Sequence, residues 1–368
     1  MDHLGNSKDR TMNRPLTDDA TRTDDLRIAR VRPLIAPALL LEQYPASAAQ
    51  EAVVQAGRDA VASVLRGDDD RLVVVVGPCS IHDHEQAMDY ARQLQVEAQN
   101  HAQDLIILMR VYFEKPRTTV GWKGYINDPH LDGSYAINEG LAMARQLLLE
   151  VTALGLPVAT EFLDLLSPQF ISDLVSWGAI GARTTESQTH RQLASGLSCP
   201  VGFKNGTDGG VKVAADAIQA AAAPHAFKGM TKMGLAAIFE TTGNPDCHLI
   251  LRGGKAPNYS AADVQAACEL LAKADLRPQV MIDVSHANSE KKHQRQLDVS
   301  LDVAHQVAAG DPRIMGVMIE SHLEEGRQDL VPGQALQRGV SLTDACISMA
   351  QTRVVLAALA EAVRKRRG

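Results

Sequence analysis

The 368-residue sequence predicts an α/β fold closed as a (β/α)8 barrel, on three observations. Eight short apolar runs are separated mostly by stretches of helical length with apolar spacing near 3.6, the alternation that builds a parallel sheet. Each run stops at a residue able to bind an anion, bind a metal or move a proton. Such residues recur after every strand, whereas a doubly wound open sheet would gather them at one crevice. In a closed barrel all strand C-termini open on one face, where active sites of such enzymes lie.

Taken in order, residues 1–23 are polar, mixed in charge and without apolar periodicity, so a disordered tail is expected. Residues 24–70 form an N-terminal arm and helix. The arm, with Asp24, Asp25, Ile28, Pro33, Pro37 and apolar residues 38–41, is too short to fold alone and needs the barrel or a neighbouring subunit to pack on. Residues 48–65 read as a helix that closes the bottom of the barrel, ended by Gly67 and the turn Asp68-Asp69-Asp70.

The barrel is assigned to 71–368. Run 72–76 leads into Gly77-Pro78-Cys79 and a helix over 85–98; run 105–109 leads into Arg110, with a helix over 134–151 before the third strand. Runs 157–160, 179–182, 199–203 and 247–251 lead into Glu161, Arg183, Lys204 and Arg252, and runs 279–284 and 314–319 into Ser285-His286 and Glu320. Residues of about 224–244 are surplus to eight strands and read as a hairpin inserted between the fifth-strand and sixth-strand ends, suited to a dimer contact or an effector pocket.

The formal net charge of −7 leaves no global basic field, so nucleic acid and anionic membrane are not expected partners. Five cysteines without CxxC spacing, and no long apolar segment, point to the cytoplasm and reduced thiols. Cys199, Cys247 and Cys268 read as small buried hydrophobes. Cys79 stands apart, at a turn leaving a strand.

Cys79, His286, Glu320 and Asp344 have metal-ligand character but are far apart in sequence, and only barrel closure would unite them. Thiolate, imidazole and carboxylates together suit a divalent transition metal better than Mg²⁺ or Ca²⁺. Pattern alone equally allows a buried cysteine and solvated carboxylates. Arg110, Lys115, Arg117, Arg183, Lys204 and Arg252 would converge on one mouth and repel one another unless the ligand is heavily anionic, with two anionic groups or as two phosphorylated molecules. Thr118 and Thr119 add donors beside Arg117.

Several long blocks carry a family resemblance. Gly77-Pro78-Cys79-Ser80-Ile81-His82, the run from Arg110 through Lys115-Pro116-Arg117-Thr118-Thr119 to Trp122, Gly181-Ala182-Arg183, Gly202-Phe203-Lys204-Asn205-Gly206-Thr207 and Leu251-Arg252 resemble the type I, aromatic amino acid-regulated 3-deoxy-D-arabino-heptulosonate 7-phosphate (DAHP) synthases. Ser285-His286-Ala287-Asn288, Ile319-Glu320-Ser321 and Thr343-Asp344-Ala345-Cys346 continue the match, which spans about residues 24–368. Residues 347–349, the segment 325–337 and the tail before Asp24 depart from it.

The resemblance implies a TIM barrel that condenses phosphoenolpyruvate with erythrose 4-phosphate and water to give DAHP and phosphate, the first step of the shikimate pathway. It assigns Arg110, Lys115, Ala182, Arg183, Lys204 and Arg252 to phosphoenolpyruvate, and Arg117 and Thr118 to the phosphate of erythrose 4-phosphate. Cys79, His286, Glu320 and Asp344 would hold one divalent ion, Mn²⁺, Fe²⁺, Co²⁺ or Zn²⁺. Glu161 would order or deprotonate the attacking water, while Lys115 and a water on the metal stand as rival proton donors to the new alkoxide. An aromatic amino acid effector, tyrosine favoured, would bind Asp24, Asp25, Ile28, Pro168, Gln169, Leu193, Leu197, Ser198, Phe227 and Gly229. Gly229 carries the preference, because a missing side chain leaves room for a phenolic hydroxyl. A homodimer or homotetramer is implied. Two other readings stand beside this one: a related synthase joining phosphoenolpyruvate to an arabinose phosphate or an N-acetylated sugar, and a catalytically silent amino acid-binding or assembly protein on the same barrel.

Overall fold

The computed structural model describes residues 23–117, 121–331 and 333–368. Apart from Thr23, the tail expected over residues 1–23 lies outside them. The chain divides into two units, Met1–Leu34 and Ile35–Gly368. In the first, the described residues turn at 24–27, with Ile28 N–H donating to Asp25 O (3.1 Å), and leave Leu26, Ile28 and Val31 exposed.

The second unit holds β1 (Leu72–Gly77), β2 (Leu105–Arg110), β3 (Val158–Glu161), β4 (Trp177–Ile180), β5 (Val201–Lys204), β6 (Ala226–Met230), β7 (Ala236–Glu240), β8 (Cys247–Leu251), β9 (Val280–Asp283), β10 (Ile314–His322) and β11 (Ile347–Ser348). Eight of these pair in parallel in the order β1-β2-β3-β4-β5-β8-β9-β10, and β10 returns to β1 in register from Val73↔Gly316 to Gly77↔Glu320. The sheet is therefore a closed barrel. Its helices are α1 (Pro37–Gln43), α2 (Ala48–Arg66), α3 (His84–Asn100), α4 (Ile137–Ala153), α5 (Pro168–Ile171), α6 (Gln188–Gly196), α7 (Lys212–Ala222), α8 (Ala261–Lys273), α9 (Arg295–Ala308) and α10 (Met349–Arg367).

Local chemistry sets the helix ends. Ser47 and Gln50 form a capping box that starts α2, and Gly67 stops it at a left-handed φ of 80°. Asp83 caps α3 through Gln86 N–H, and Ser260 with Asp263 and Ser348 with Gln351 form the boxes of α8 and α10. Strand alternation then divides the core in two. Leu72, Val74 and Val76 face the surrounding helices, whereas Val73 and Val75 join Ile106, Leu108, Ala159, Trp177, Ala179, Ile250, Met281 and Met318 inside the barrel. Val61, Val64 and Leu65 of α2 belong to that inner cluster, so α2 plugs the end at which the strands begin. Gly57 permits its close approach, since a Cβ there would lie 2.7 Å from Pro157 Cβ and 2.6 Å from Ser176 Oγ.

The surplus segment is an antiparallel hairpin, β6 with β7, in which Phe227 opposes Phe239 with stacked rings 6.0 Å apart. Its tip meets α1 and α5: Lys232 O accepts Ala38 N–H (2.7 Å), and Lys232 Nζ donates to Gln169 O. Its base meets α6 through Thr241 Oγ1 and Ser195 Oγ (2.8 Å). Three barrel strands differ from expectation by two or more residues at an end: the fifth begins at Val201 rather than 199, and the eighth, β10, runs on to His322 rather than ending at 319. The fourth spans Trp177–Ile180 rather than 179–182, because Trp177 and Ala179 are its inward residues; Arg183 consequently stands in the turn beyond it. Among the described residues no helix is long and apolar enough to cross a membrane.

Candidate active site

Continuing each strand's inward alternation to the C-terminal end of the barrel reaches Cys79, Arg110, Glu161, Gly181, Lys204, Arg252, Asp283 and Glu320 in turn. One cavity at that end is lined by Arg110, Lys115, Arg117, Glu161, Ala182, Arg183, Lys204, Arg252, His286 and Asp344, among others. Thus every cation expected at the mouth lines it; Thr118 lies outside the described residues. Two glycines make room. A Cβ on Gly181 would fall 2.3 Å from Glu161 Oε1, and one on Gly77 2.6 Å from Arg110 O, where β1 passes close to β2 before turning through Pro78 to Cys79.

Cys79, Glu320 and Asp344 each present a ligand atom, all within 4.8 Å of one another. His286 stands beside them, its Nε2 4.0 Å from Glu320 Oε1. Burial pushes the Cys79 thiol up, Glu320 and Asp344 add to the effect, and Lys115 and Arg110 oppose it. A soft thiol, two carboxylates and an imidazole at this spacing fit a divalent transition metal. The Asp344 carboxyl is held below its ordinary value, because Lys115, His286, Arg110 and Arg117 outweigh its desolvation.

Around this group the cations are held by specific partners. Arg110 is buried: Nη2 donates to Glu320 Oε1 (2.8 Å), Nε donates to Pro78 O (3.1 Å), and the guanidinium lies 3.6 Å from the Tyr112 ring centroid. Lys115 Nζ donates to Cys79 Sγ (3.2 Å) and Cys79 O (2.9 Å). Burial opposes the charge on Lys115, but Cys79, Glu320 and Glu161 outweigh burial and the repulsion of Arg110, so its pKa stands above normal. Arg252 is anchored by its main-chain N–H on Asn205 Oδ1 (2.8 Å), while its buried Nε has no hydrogen-bond partner in the protein.

Two residues of this constellation have no role assigned from the sequence. Asp283, fully buried, accepts from Lys204 Nζ (2.8 Å) on Oδ2, which His286 Nδ1 approaches as an ion-pair partner (2.9 Å), while Oδ1 takes Ser285 Oγ–H (2.6 Å) and Ser285 Oγ in turn hydrogen-bonds His286 Nδ1 (2.7 Å). Burial alone would raise its pKa; His286 and Lys204 hold it well below the carboxylate range. With the Ser285 hydroxyl hydrogen spent on Asp283 and the carboxylate able only to accept, the proton is fixed on His286 Nδ1, leaving Nε2 toward Glu320. Asn205 joins β5 to the loop after β8, donating from Nδ2 to Gly253 O (2.9 Å). The inward parity of Met281 signals Asp283; Asn205 lies inside a recognised block without a role attached.

The residues expected to bind an effector fall in both units. Asp24, Asp25 and Ile28 belong to Met1–Leu34. Pro168 and Gln169 begin α5, Leu193 and Leu197 sit at the end of α6 before Ser198, and Phe227 and Gly229 lie on β6. A Cβ on Gly229 would meet the Phe239 ring at 2.8 Å, so the space over this glycine is taken by an aromatic ring.

Residues 44–357 match the DAHP synthetase I family. The chain is 58% identical over 347 residues to the Phe-sensitive phospho-2-dehydro-3-deoxyheptonate aldolase of Escherichia coli strain K12, covering 94% of this chain and 99% of the relative. It is 55% identical to the tyrosine-inhibited enzyme of Schizosaccharomyces pombe, over 95% of this chain and 96% of the relative. The solved phospho-2-dehydro-3-deoxyheptonate aldolase of Francisella tularensis SCHU S4 superposes with a TM-score of 0.91 at 50% identity, covering 92% of this chain and 99% of that one. With the match running through every barrel strand, the chain belongs to the DAHP synthetase I family.

Proposed function

We propose that the cavity joins phosphoenolpyruvate to erythrose 4-phosphate and water, giving DAHP and phosphate. Family membership makes the chain a DAHP synthase, an enzyme of the first shikimate step. The observation that carries the substrate assignment is the convergence of Arg110, Lys115, Arg117, Arg183, Lys204 and Arg252 on one cavity, a charge load that two phosphorylated substrates would neutralise. The buried Nε of half-buried Arg252, without a partner in the protein, supports an anion there.

In this reading Arg183, Lys204 and Arg252 clamp the phosphate and carboxylate of phosphoenolpyruvate, with Arg110 and Lys115 at the inner end and the Ala182 main chain alongside. Arg117 and Thr118 take the phosphate of erythrose 4-phosphate. A divalent metal held by Cys79, His286, Glu320 and Asp344 would supply the Lewis acidity that polarises the aldehyde. C3 of phosphoenolpyruvate attacks the aldehyde carbon, and positive charge left at C2 is captured by water. Glu161, its carboxylate facing the cavity from β3, orders or deprotonates that water, and the tetrahedral product loses phosphate. Lys115, at the inner wall with Nζ on Cys79, or a water on the metal would protonate the new alkoxide.

Effector binding by the Asp24, Asp25 and Ile28 arm with Pro168, Gln169, Leu193, Leu197, Ser198, Phe227 and Gly229 is part of the proposal, with tyrosine as the favoured ligand. Likeness to relatives does not choose the effector, since Phe-sensitive, Trp-sensitive and tyrosine-inhibited enzymes lie at 58%, 55% and 55% identity. Exposed Met233, Leu235 and Ile238 on the hairpin support a homo-oligomer, dimer or tetramer. A cytoplasmic enzyme fits the buried free cysteines. The test is phosphate release that requires both substrates together with a divalent metal, and that arabinose 5-phosphate does not sustain.

A further inference from the structure

The loop that carries Lys115 and Arg117 leaves β2 through a buried carboxylate that the reaction above does not use. Glu114 is 5% exposed. Its main chain forms an isolated antiparallel bridge with Gly124, and Lys115 N–H donates to Lys123 O (2.9 Å), so residues 114 and 124 close the base of the loop. Gly124 allows that closure. Its φ is +114°, and a Cβ there would lie 2.1 Å from Phe113 O.

The Glu114 side chain reaches out of its own loop. Oε1 accepts Ser167 Oγ–H (2.7 Å) and Oε2 accepts Asp164 N–H (3.3 Å). Asp164 Oδ1 accepts in turn from Leu166 N–H (2.6 Å) and Ser167 N–H (3.1 Å), which makes the segment after β3 a tight turn that delivers Pro168 to the start of α5. The next residue, Gln169, is held by Lys232 of the hairpin. Burial, together with Asp164 and Glu161, pushes Glu114 up to about 7 despite the Ser167 hydrogen bond. Both carboxyl oxygens of this buried acid are thus spent on the segment after β3, and removing the side chain would leave Ser167 Oγ and Asp164 N–H without that partner.

We propose that Glu114 is a positioning residue for the sugar phosphate: it locks the Lys115–Arg117 loop to the start of α5 and so sets where the Arg117 guanidinium stands at the mouth. Displacement of α5 would then change the sugar-phosphate pocket while leaving Arg183, Lys204 and Arg252 of the phosphoenolpyruvate clamp in place, and Lys115 is tied separately, its Nζ donating to Cys79 O (2.9 Å) and Cys79 Sγ (3.2 Å). This inference rests on the reading of Arg117 as the ligand of the erythrose 4-phosphate phosphate.

The test is steady-state kinetics on the full-length, metal-replete enzyme with Glu114→Ala, Glu114→Gln, Ser167→Ala and the Glu114→Ala/Ser167→Ala double variant, with Arg117→Ala alongside. Glu114→Ala should raise the KM for erythrose 4-phosphate about tenfold, the loss of a buried carboxyl that accepts two hydrogen bonds, with kcat and the KM for phosphoenolpyruvate within about twofold of wild type. Glu114→Gln should recover most of that loss, because its amide oxygen can accept Asp164 N–H and its NH2 can donate to Ser167 Oγ. Ser167→Ala should shift the same KM in the same direction, and the double variant should be no worse than Glu114→Ala. Equal changes in both KM values, additive single effects or no rescue by glutamine would overturn the proposal. If Glu114→Ala does not fold, Ser167→Ala decides. Should Arg117→Ala raise that KM while the Glu114 and Ser167 variants do not, the clamp fails alone; should Arg117→Ala leave it unchanged, the pocket assignment fails and the clamp's role with it.

Discussion

Asp283 Oδ2 and His286 Nδ1 face each other at 2.9 Å across a turn in which His286 holds a φ of +52°. A histidine in the left-handed region costs of order 1–3 kcal/mol and persists where its surroundings demand it. Here the demand comes from one buried aspartate that orients a candidate metal ligand and, through the same oxygen, Lys204 of the candidate phosphoenolpyruvate clamp.

Asp283→Asn should therefore disturb both functions at once. The amide can donate to His286 Nδ1, which moves the ring proton to Nε2 and removes the lone pair from the metal side. Metal affinity read by titration calorimetry should fall about 10–100-fold, and the KM for phosphoenolpyruvate should rise. Unchanged metal affinity in a folded variant would remove Asp283 from this role.

Cys79→Ser replaces a soft ligand by a hydroxyl that stays protonated. Bound transition metal and activity should both collapse, as measured by metal analysis after dialysis and by turnover. Retention of both would take Cys79 out of the site.

The two anion pockets should separate in kinetics. Arg183→Ala and Lys204→Ala should chiefly injure phosphoenolpyruvate use and Arg117→Ala chiefly raise the KM for erythrose 4-phosphate, each lost charge-assisted contact being worth roughly 1.5–3 kcal/mol. Equal effects on both substrates from all three would break the division.

The barrel was legible because each strand is a short apolar run ending in a chemically loaded residue, and 72–76, 105–109 and 247–251 became β1, β2 and β8 with at most one residue's change at an end. The cations that line the cavity and the Cys79, Glu320 and Asp344 cluster were legible partly for the same reason, and the family blocks supplied their expected roles. Asp283 was not, because it sits within the apolar run 279–284, where an acid reads as part of the strand unless inward parity is traced from Met281. Glu114 was hidden differently: its partners Asp164 and Ser167 come from another loop, and no local spacing encodes that meeting. At the fourth strand the expected run, 179–182, leaves out Trp177 and Gly178, although Trp177 fills the barrel interior and its Nε1 hydrogen-bonds His248 Nε2 at 2.9 Å.

Glu114 also predicts a pH dependence of stability. Its folded pKa of about 7 lies above the ordinary 4.5, so between these values the folded state holds a proton that the unfolded state has released. Its favourable contribution is fully present below the unfolded value and is lost as pH rises through about 7. Thermal melts from pH 5 to 8 should show a declining Tm part of which disappears in Glu114→Gln; identical profiles would show that the carboxyl does not titrate there.

Regulation is testable through one glycine. Wild-type enzyme should be inhibited by tyrosine in preference to phenylalanine, Gly229→Ser should shift the response toward phenylalanine, and deletion of residues 1–28 should abolish it. Because the Phe239 ring lies 2.8 Å from the position of the new Cβ, serine must displace that ring. Inhibition by phenylalanine with indifference to tyrosine would sink the effector assignment, and unchanged inhibition after the deletion would sink the arm's part in it.

The most direct measurement of the central claim is product analysis of the metal-stripped and metal-replete enzyme with phosphoenolpyruvate, with and without erythrose 4-phosphate. The account predicts DAHP and phosphate in equal amounts only when both substrates and a divalent metal are present. Condensation that proceeds at full rate in the stripped enzyme, or phosphoenolpyruvate left unconsumed by the replete enzyme with erythrose 4-phosphate, would contradict it.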